Sequence, residues 1–108
     1  MTLYEYQKQA LTTVINSGDT MLLRFVLGLV GESGEVAEKF KKWLRDTDGD
    51  VNLLDKAEIT KELGDILWYI ATLADQLGIS LDEIAHTNLA KLSSRQQRNR
   101  LSGSGDNR

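Results

Sequence analysis

Two pairs of acidic residues, each spaced three positions apart, are the part of this sequence that could do chemistry. Glu32 and Glu35 form the first pair, and Glu62 and Asp65 form the second. In an α-helix each residue advances by about 100°, so the two members of a pair lie on one face of their helix. If two such helices pack with these faces together, the four carboxylates converge on one groove.

Carboxylates crowded beside a hydrophobic core repel one another, and a divalent cation would relieve that repulsion. Hard oxygen ligands in this number suit Mg²⁺, or Mn²⁺ as a substitute, rather than zinc. A bound Mg²⁺ bridges phosphate oxygens, and a nearby carboxylate can orient or deprotonate an attacking water, so the set favours phosphoanhydride hydrolysis. The alternative is an ordinary solvated helix face with pairs such as Glu35 with Lys39 and Glu38 with Lys42.

The elements that must position these acids are predicted to be helices. The chain has 108 residues, 41% of them hydrophobic and none of them Pro, which fits one all-α domain with a four-helix bundle-like fold. Helical spacing of apolar residues places the domain in residues 1–95 and leaves 96–108 as a flexible polar and basic tail, unless a partner orders it. The four predicted helices run from a Thr2 cap to near Ser17-Gly18, from about Met21 to Leu44, from about Leu53 to Leu77, and from a Ser80 cap to about Ser93.

Composition excludes several classes of function. Zero Cys excludes disulfide, thiolate-zinc and cysteine-nucleophile chemistry, and a net charge of −3 gives no general affinity for nucleic acid. No apolar run approaches the roughly 20 residues that span a bilayer, and no signal peptide follows Met1, so we expect no membrane partner and a cytoplasmic location.

Three glycines inside the second predicted helix need a compensating contact. Gly28, Gly31 and Gly34 each cost about 1 kcal/mol relative to Ala in a helix interior. They could admit a second helix or leave clearance for a ligand beside the acids. The first half of this helix is apolar around most of its circumference, so it must be covered by the domain or by another subunit.

The segments Gly-Glu-Ser-Gly-Glu-Val-Ala-Glu (31 to 38) and Glu-Leu-Gly-Asp-Ile-Leu-Trp-Tyr (62 to 69) resemble the MazG-type all-α nucleoside triphosphate pyrophosphohydrolases. The signature of that family is Glu-x-x-Glu followed by Glu-x-x-Asp, and the family is related to all-α dUTPases and dCTP pyrophosphatases. The resemblance extends from the first helix to about Arg95. It implies Mg²⁺ bound by the two acidic pairs and cleavage between the α- and β-phosphates of a nucleoside triphosphate. It also implies a homo-oligomer, either a dimer or a tetramer built from dimers, with sites near subunit interfaces.

The resemblance also suggests residues that contact the substrate. Asn88, Lys91 and Arg95 lie in a segment similar to the basic one that these enzymes place near the triphosphate, although a solvated helix end favours cations too. Tyr69 is placed at the sugar or base. Trp68 could stack on a base, although single aromatics on long helices are more often core residues.

Glu38 continues the same spacing as the first acidic pair. It could be a further metal ligand or the base that orients water, or it could simply pair with Lys42 on a neighbouring turn.

Two rival interpretations belong to other classes of protein. Glu83 and His86 form one Glu-x-x-His pair, as in carboxylate-bridged di-iron bundles, but such bundles need more than one. A non-catalytic oligomeric helical binding module would use the acids only as soluble surface and would be indifferent to Mg²⁺. An acidic loop from Asp46 to Asn52 lacks the terminal Glu of a calcium loop, because position 57 is Ala.

Overall fold

A computed structural model of the chain describes all residues from 1 to 108 and contains no β-strand. The prediction of an all-α fold with four helices is confirmed. The elements are α1 (Leu3–Leu11), α2 (Met21–Thr47), a 3-10 turn (Val51–Leu53), α3 (Lys56–Gln76) and α4 (Leu81–Gln97).

Side chains cap the starts of α1 and α4 as the sequence predicts. The backbone N–H of Glu5 donates to Thr2 Oγ1 at 3.1 Å, and the N–H of Thr2 donates to Glu5 Oε2 at 3.0 Å, which completes a capping box. Ser80 Oγ accepts from the N–H of Glu83 at 3.0 Å. Thr20 is the N-cap of α2, but its side chain makes no cap bond there.

The predicted end of the first helix near Gly18 is wrong, because α1 ends at Leu11. The hydroxyls of Thr12 and Thr13 donate to the backbone carbonyls of residues 9 and 10, which terminates the helix with local side-chain bonds. These two residues begin a β-branched run that continues to Ile15, and β-branched side chains lose χ1 freedom in a helix.

The two central helices differ from their predicted bounds by about one turn. α2 continues beyond Leu44 to Thr47 and ends at Asp48, which takes a left-handed conformation with φ of 55°. α3 begins at Lys56 rather than at residue 53, because a 3-10 turn precedes it and Asp55 Oδ1 accepts from the N–H of Glu58 at 3.1 Å.

The connection from α3 to α4 follows the prediction closely. Gly78 has a φ of +71°, and the N–H of Ile79 donates back to the carbonyl of Ala74 at 2.8 Å, which is the Schellman arrangement for a helix end. α4 continues beyond Ser93 to Gln97, so it is longer than its apolar pattern indicates.

A small core joins α1 to α3 and α4. Ala10, Ala71 and Leu81 form its buried cluster. Gln7 is buried beside them and satisfies both ends of its amide: its Nε2 donates to the carbonyl of Ala71 at 3.1 Å, and its Oε1 accepts from the N–H of Leu81 at 3.0 Å. One polar side chain therefore fixes α1 against the two helices that meet at this end.

The helices α2 and α3 run antiparallel and pack along much of their length. Gly28 meets the ring of Tyr69 at one end of the contact, while Lys39 lies against Glu58 at the other. Phe25 of α2 and Trp68 of α3 add an edge-to-face contact with ring centroids 6.0 Å apart.

One copy of the chain leaves much of its apolar surface uncovered. Only 9 of the 108 residues are buried. The radius of gyration is 17.0 Å, whereas a compact domain of this length has about 13 Å. The apolar first half of α2 is the largest exposed stretch, with Leu27 at 61% and Val30 at 66% exposure. None of the helices is long and apolar enough to cross a membrane.

Of the three glycines of α2, Gly28 lies against a side chain whereas Gly31 and Gly34 have open space beside them, which gives a test by substitution. A Cβ at Gly28 would overlap the Tyr69 ring, whereas a Cβ at Gly34 would meet nothing within 4 Å. Gly28→Ala should lower the free energy of unfolding by about 1–3 kcal/mol, since overpacking displaces the ring. Gly34→Ala should raise it by roughly 0.5–1 kcal/mol, since it removes the entropy cost of glycine. Chemical denaturation of both variants measures the two signs, and equal effects would contradict the packing of Tyr69 on Gly28.

Candidate metal centre

Three carboxylates from two helices meet at the α2–α3 contact. Glu32 and Glu35 come from α2 and Glu62 comes from α3, and one oxygen of each lies within 4.8 Å of the others. Their spacing within α2 puts the first two on one face, and the antiparallel packing of α3 brings the third to that face. The sequence prediction that the two acidic pairs approach each other is thus met for three of the four residues.

Two oxygens in this group are buried without a hydrogen-bond partner. They are Glu32 Oε2 and Glu62 Oε2, one from each helix. Buried carboxylate oxygens are normally satisfied by a donor, so an orphaned pair marks a place where a positively charged or proton-donating group belongs.

The pKa of Glu32 is raised above its ordinary value of 4.5. Burial is the largest cause, because it disfavours the charged carboxylate, and the negative charges of Glu35, Asp65 and Glu62 add to it in that order. The electrostatics therefore report a surplus of negative charge at this point of the α2–α3 groove.

Asp65 is close enough to take part electrostatically, although it is outside the three-oxygen group. Its charge contributes to the raised pKa of Glu32. It also raises the pKa of Tyr6 on α1, for which burial is the larger cause. Nothing local in the sequence connects Tyr6 on α1 to the acids.

Lys39 is the one basic side chain paired with this group. Its Nζ lies 3.5 Å from Glu62 Oε1 and 4.0 Å from Glu58 Oε2. The pair between Glu35 and Lys39 that helical spacing allows is therefore not formed, because α3 supplies nearer carboxylates. Helical spacing puts Lys39 on the same face of α2 as Glu35, but it does not indicate this contact across helices.

Glu38 lies outside the three-carboxylate group and forms an ion pair of its own. Lys41 Nζ lies 2.9 Å from Glu38 Oε2, so its partner is Lys41 rather than Lys42. That hydrogen bond to Lys41 is the largest cause of the lowered pKa of Glu38.

Trp68 and Tyr69 lie between α1, α2 and α3. Trp68 Nε1 donates to Thr13 Oγ1 at 2.7 Å, and the rings of Trp68 and Tyr69 meet edge to face with centroids 5.0 Å apart. Both side chains line a cavity of about 180 Å³ together with Arg24 and Phe25. Trp68 is thus a packed residue with one surface on a cavity.

No ion pair or hydrogen bond joins the α4 residues Asn88, Lys91 and Arg95 to the acidic group. Lys91 Nζ donates to Asp106 Oδ1 at 3.1 Å, and Arg95 donates to the carbonyl of Asp106 at 2.6 Å. Arg95 also lies 3.6 Å from Asp106 Oδ1, and both cations lower the pKa of the Asp106 carboxyl, Lys91 more than Arg95. Asp106 of the tail therefore lies against α4, where Arg95 is only 5% exposed.

The donor set fits a hard divalent cation. All three grouped ligands are carboxylates, and no His or Cys joins them, which matches the oxygen preference of Mg²⁺ and Mn²⁺. A cation would give the two orphaned oxygens a partner. Its positive charge would also offset the negative charges that help to raise the pKa of Glu32. Glu83 and His86 stay outside the group, so the geometry gives no support to a di-iron site.

The fold and the site together define an all-helical protein whose carboxylate groove suits a divalent cation. The family model for the MazG nucleotide pyrophosphohydrolase domain matches residues 21–99. The chain therefore belongs to the MazG nucleotide pyrophosphohydrolase family, and the resemblance found in the sequence is confirmed.

The chain is also similar to a phage protein over most of its length. The chain is 50% identical over 82 residues to the Gene 37 protein of Mycobacterium phage L5, which covers 76% of this chain and 72% of that protein. No solved structure gives a significant match.

The raised pKa of Glu32 predicts how stability depends on pH. When the pKa of a carboxyl is higher in the folded chain than in the unfolded chain, its ionisation lowers the free energy of unfolding. That loss begins as the pH rises through the unfolded value of about 4.5 and is complete above the folded value. In EDTA, Glu32→Gln should therefore be more stable than the unmodified chain above that range and should differ less below it. Thermal unfolding from pH 4 to 8 measures this difference. A variant that is less stable at pH 8 in EDTA would contradict the assigned charge surplus.

Proposed function

We propose that this chain is a Mg²⁺-dependent nucleoside triphosphate pyrophosphohydrolase. It hydrolyses a nucleoside or deoxynucleoside triphosphate to the monophosphate and pyrophosphate. The observation that carries the proposal is the convergence of Glu32, Glu35 and Glu62 with two orphaned, buried oxygens. Membership of the MazG family supports the reaction type. A role in clearing modified nucleotides or in controlling a deoxynucleotide pool is part of the proposal.

The proposed metal ligands are Glu32, Glu35, Glu62 and Asp65, with Mn²⁺ as an alternative to Mg²⁺. When bound, the cation supplies charge neutralisation at phosphate oxygens. Placing all four acids on two packed helices holds them at fixed separations, because their positions depend on helix register rather than on loop conformation.

One of the carboxylates has to orient the attacking water. Glu38 is the weaker candidate for that base, because its hydrogen bond to Lys41 lowers its pKa and therefore its proton affinity. Glu38 is therefore the second candidate, and we assign the orienting role to the groove acids Glu32, Glu35, Glu62 and Asp65.

The proposed substrate contacts divide between the two ends of the nucleotide. Lys91 and Arg95, with Asn88 beside them on α4, would bind the triphosphate, since Arg and Lys both suit phosphate oxygens. Tyr69 and Trp68 line the cavity of about 180 Å³ and would contact the sugar or base. The basic side chains are now engaged by Asp106, so a triphosphate must displace that carboxylate.

A homo-oligomer is part of the same proposal. Apolar residues of α2 are exposed in one copy, and its radius of gyration of 17.0 Å is larger than that of a compact domain of this length. A second copy of the chain covering α2 would bury that surface. Within one copy, the basic residues Lys91 and Arg95 of α4 pair with Asp106 and not with the acidic groove.

The oligomer is tested by a charge on the exposed α2 face. Leu27→Glu should dissociate the assembly into protomers, because a buried unpaired carboxylate is costly at an interface. Leu101→Glu is the matched control, since Leu101 is also exposed but lies in the tail. Light scattering after size exclusion gives the mass of each variant. An unmodified chain that is already monomeric, or a Leu27→Glu variant that stays assembled, would count against α2 as the interface.

The reaction is tested by substituting single acids. Glu35→Gln and Asp65→Asn should each reduce pyrophosphate release by at least about a hundredfold at saturating Mg²⁺, since each removes a charge that holds the cation. Circular dichroism should report an intact fold, and Asp75→Asn on the same α3 helix is the control for loss of one charge. A chain lacking residues 99–108 should remain active, because the tail supplies no groove carboxylate.

The substrates for this assay are a panel of standard and modified nucleoside triphosphates, and pyrophosphate is the product measured. Absence of release from every nucleotide, with and without Mg²⁺, would favour the non-catalytic helical binding module instead. That alternative also predicts that Mg²⁺ leaves the melting temperature unchanged.

A further inference from the structure

Lys39 holds a position that the reaction as proposed does not use. Its ammonium lies between two carboxylates of α3, 3.5 Å from Glu62 and 4.0 Å from Glu58. The Glu62 side chain is only 15% exposed, and the Lys39 side chain is 36% exposed. An ion pair this sheltered is screened less by water than one on an open surface.

The carboxylate of Glu62 has a different environment at each oxygen. Its Oε1 is paired with Lys39, whereas its Oε2 is buried and has no hydrogen-bond partner. Glu62 also belongs to the group of three carboxylates at the α2–α3 groove. One side chain is thus shared between a resident ammonium and the proposed metal site.

Lys39 is the only cation that forms an ion pair with any of the four groove acids. Glu32, Glu35 and Asp65 have none, although their charges accumulate at the same place. In the protein without metal, Lys39 therefore offsets part of the repulsion that the groove contains. The same positive charge opposes the arrival of a divalent cation, since like charges repel over this distance.

The geometry points to Lys39 as a resident counterion of the groove that competes with the divalent metal for Glu62 and moves to Glu58 when the metal binds. This inference rests on the proposed metal site. Glu58 suits the second role because it lies one helical turn before Glu62 and within 4.0 Å of the same ammonium, yet it is outside the three-carboxylate group. Lys39 is a positioning residue in this arrangement: it keeps Glu62 oriented until the metal takes over that carboxylate.

The decisive variant is Lys39→Met, which keeps the aliphatic stem and removes the charge. It should bind Mn²⁺ about two- to fivefold more tightly than the unmodified chain, which corresponds to removing one partly exposed ion pair. It should also melt at a lower temperature in EDTA, because the groove acids lose their counterion. Lys39→Arg keeps the charge and should restore both values. Loss of structure alone would weaken Mn²⁺ binding, so tighter binding identifies competition.

Lys42→Met is the matched control for loss of one charge. Lys42 lies on α2 like Lys39, but it forms no ion pair with a groove acid or with Glu58, whose other partner is Lys61, so its removal should leave Mn²⁺ affinity almost unchanged. Calorimetry or Mn²⁺ spin resonance measures all four proteins without nucleotide. Unchanged or weaker Mn²⁺ binding by Lys39→Met, or an equal gain in Lys42→Met, would overturn the inference.

The outcome is separable from that of the proposed function. If no nucleotide releases pyrophosphate but Lys39→Met still binds Mn²⁺ more tightly, the counterion role stands and the hydrolase proposal fails. If pyrophosphate is released but the Mn²⁺ affinities do not differ as stated, the hydrolase proposal stands and the counterion role fails.

Discussion

Repulsion between carboxylates on two packed helices is the constraint on which the rest of this structure depends. The antiparallel contact of α2 with α3 that gives the chain its longest interface also brings Glu32, Glu35 and Glu62 within 4.8 Å of one another. Packing and electrostatics therefore oppose each other at one place. The raised pKa of Glu32 and the orphaned oxygens record that conflict, and Lys39 relieves only part of it. A fold optimised for stability alone would not keep this arrangement.

The remaining elements hold α3 firmly at the end away from the acids. Gln7 ties α1 to the end of α3 and to the start of α4, and the buried cluster of Ala10, Ala71 and Leu81 lies at the same end. The acidic half of α3 contacts mainly α2. The buried cluster and the Gln7 hydrogen bonds thus lie at one end of α3, while the acidic group lies at the other.

Most of the fold and part of the site follow from local sequence. Helix caps at Thr2 and Ser80 and the stop at Gly78 depend on nearby residues, so the sequence was sufficient to predict them. Apolar spacing alone predicts that α1 continues to about Gly18, but the helix ends at Leu11, where a β-branched run begins.

The contacts that the sequence could not predict are those decided between elements. Helical spacing offered Glu35 to Lys39, but α3 supplied Glu62 at 3.5 Å instead. The influence of Asp65 on Tyr6 also depends on how α1 lies across α3. The engagement of Lys91 by Asp106 requires the tail to turn back over 15 residues, which no periodicity indicates.

The contact between Gly28 and Tyr69 has a consequence for how this sequence can vary. Gly28 lies four residues before Glu32, and Tyr69 lies four residues after Asp65, so the contact fixes the axial register of α2 and α3 one turn from the acids. The Tyr69 ring occupies the space that a side chain at position 28 would need. A larger residue at 28 is compatible with the same groove only when a smaller one replaces Tyr69, so the two positions should change together rather than singly.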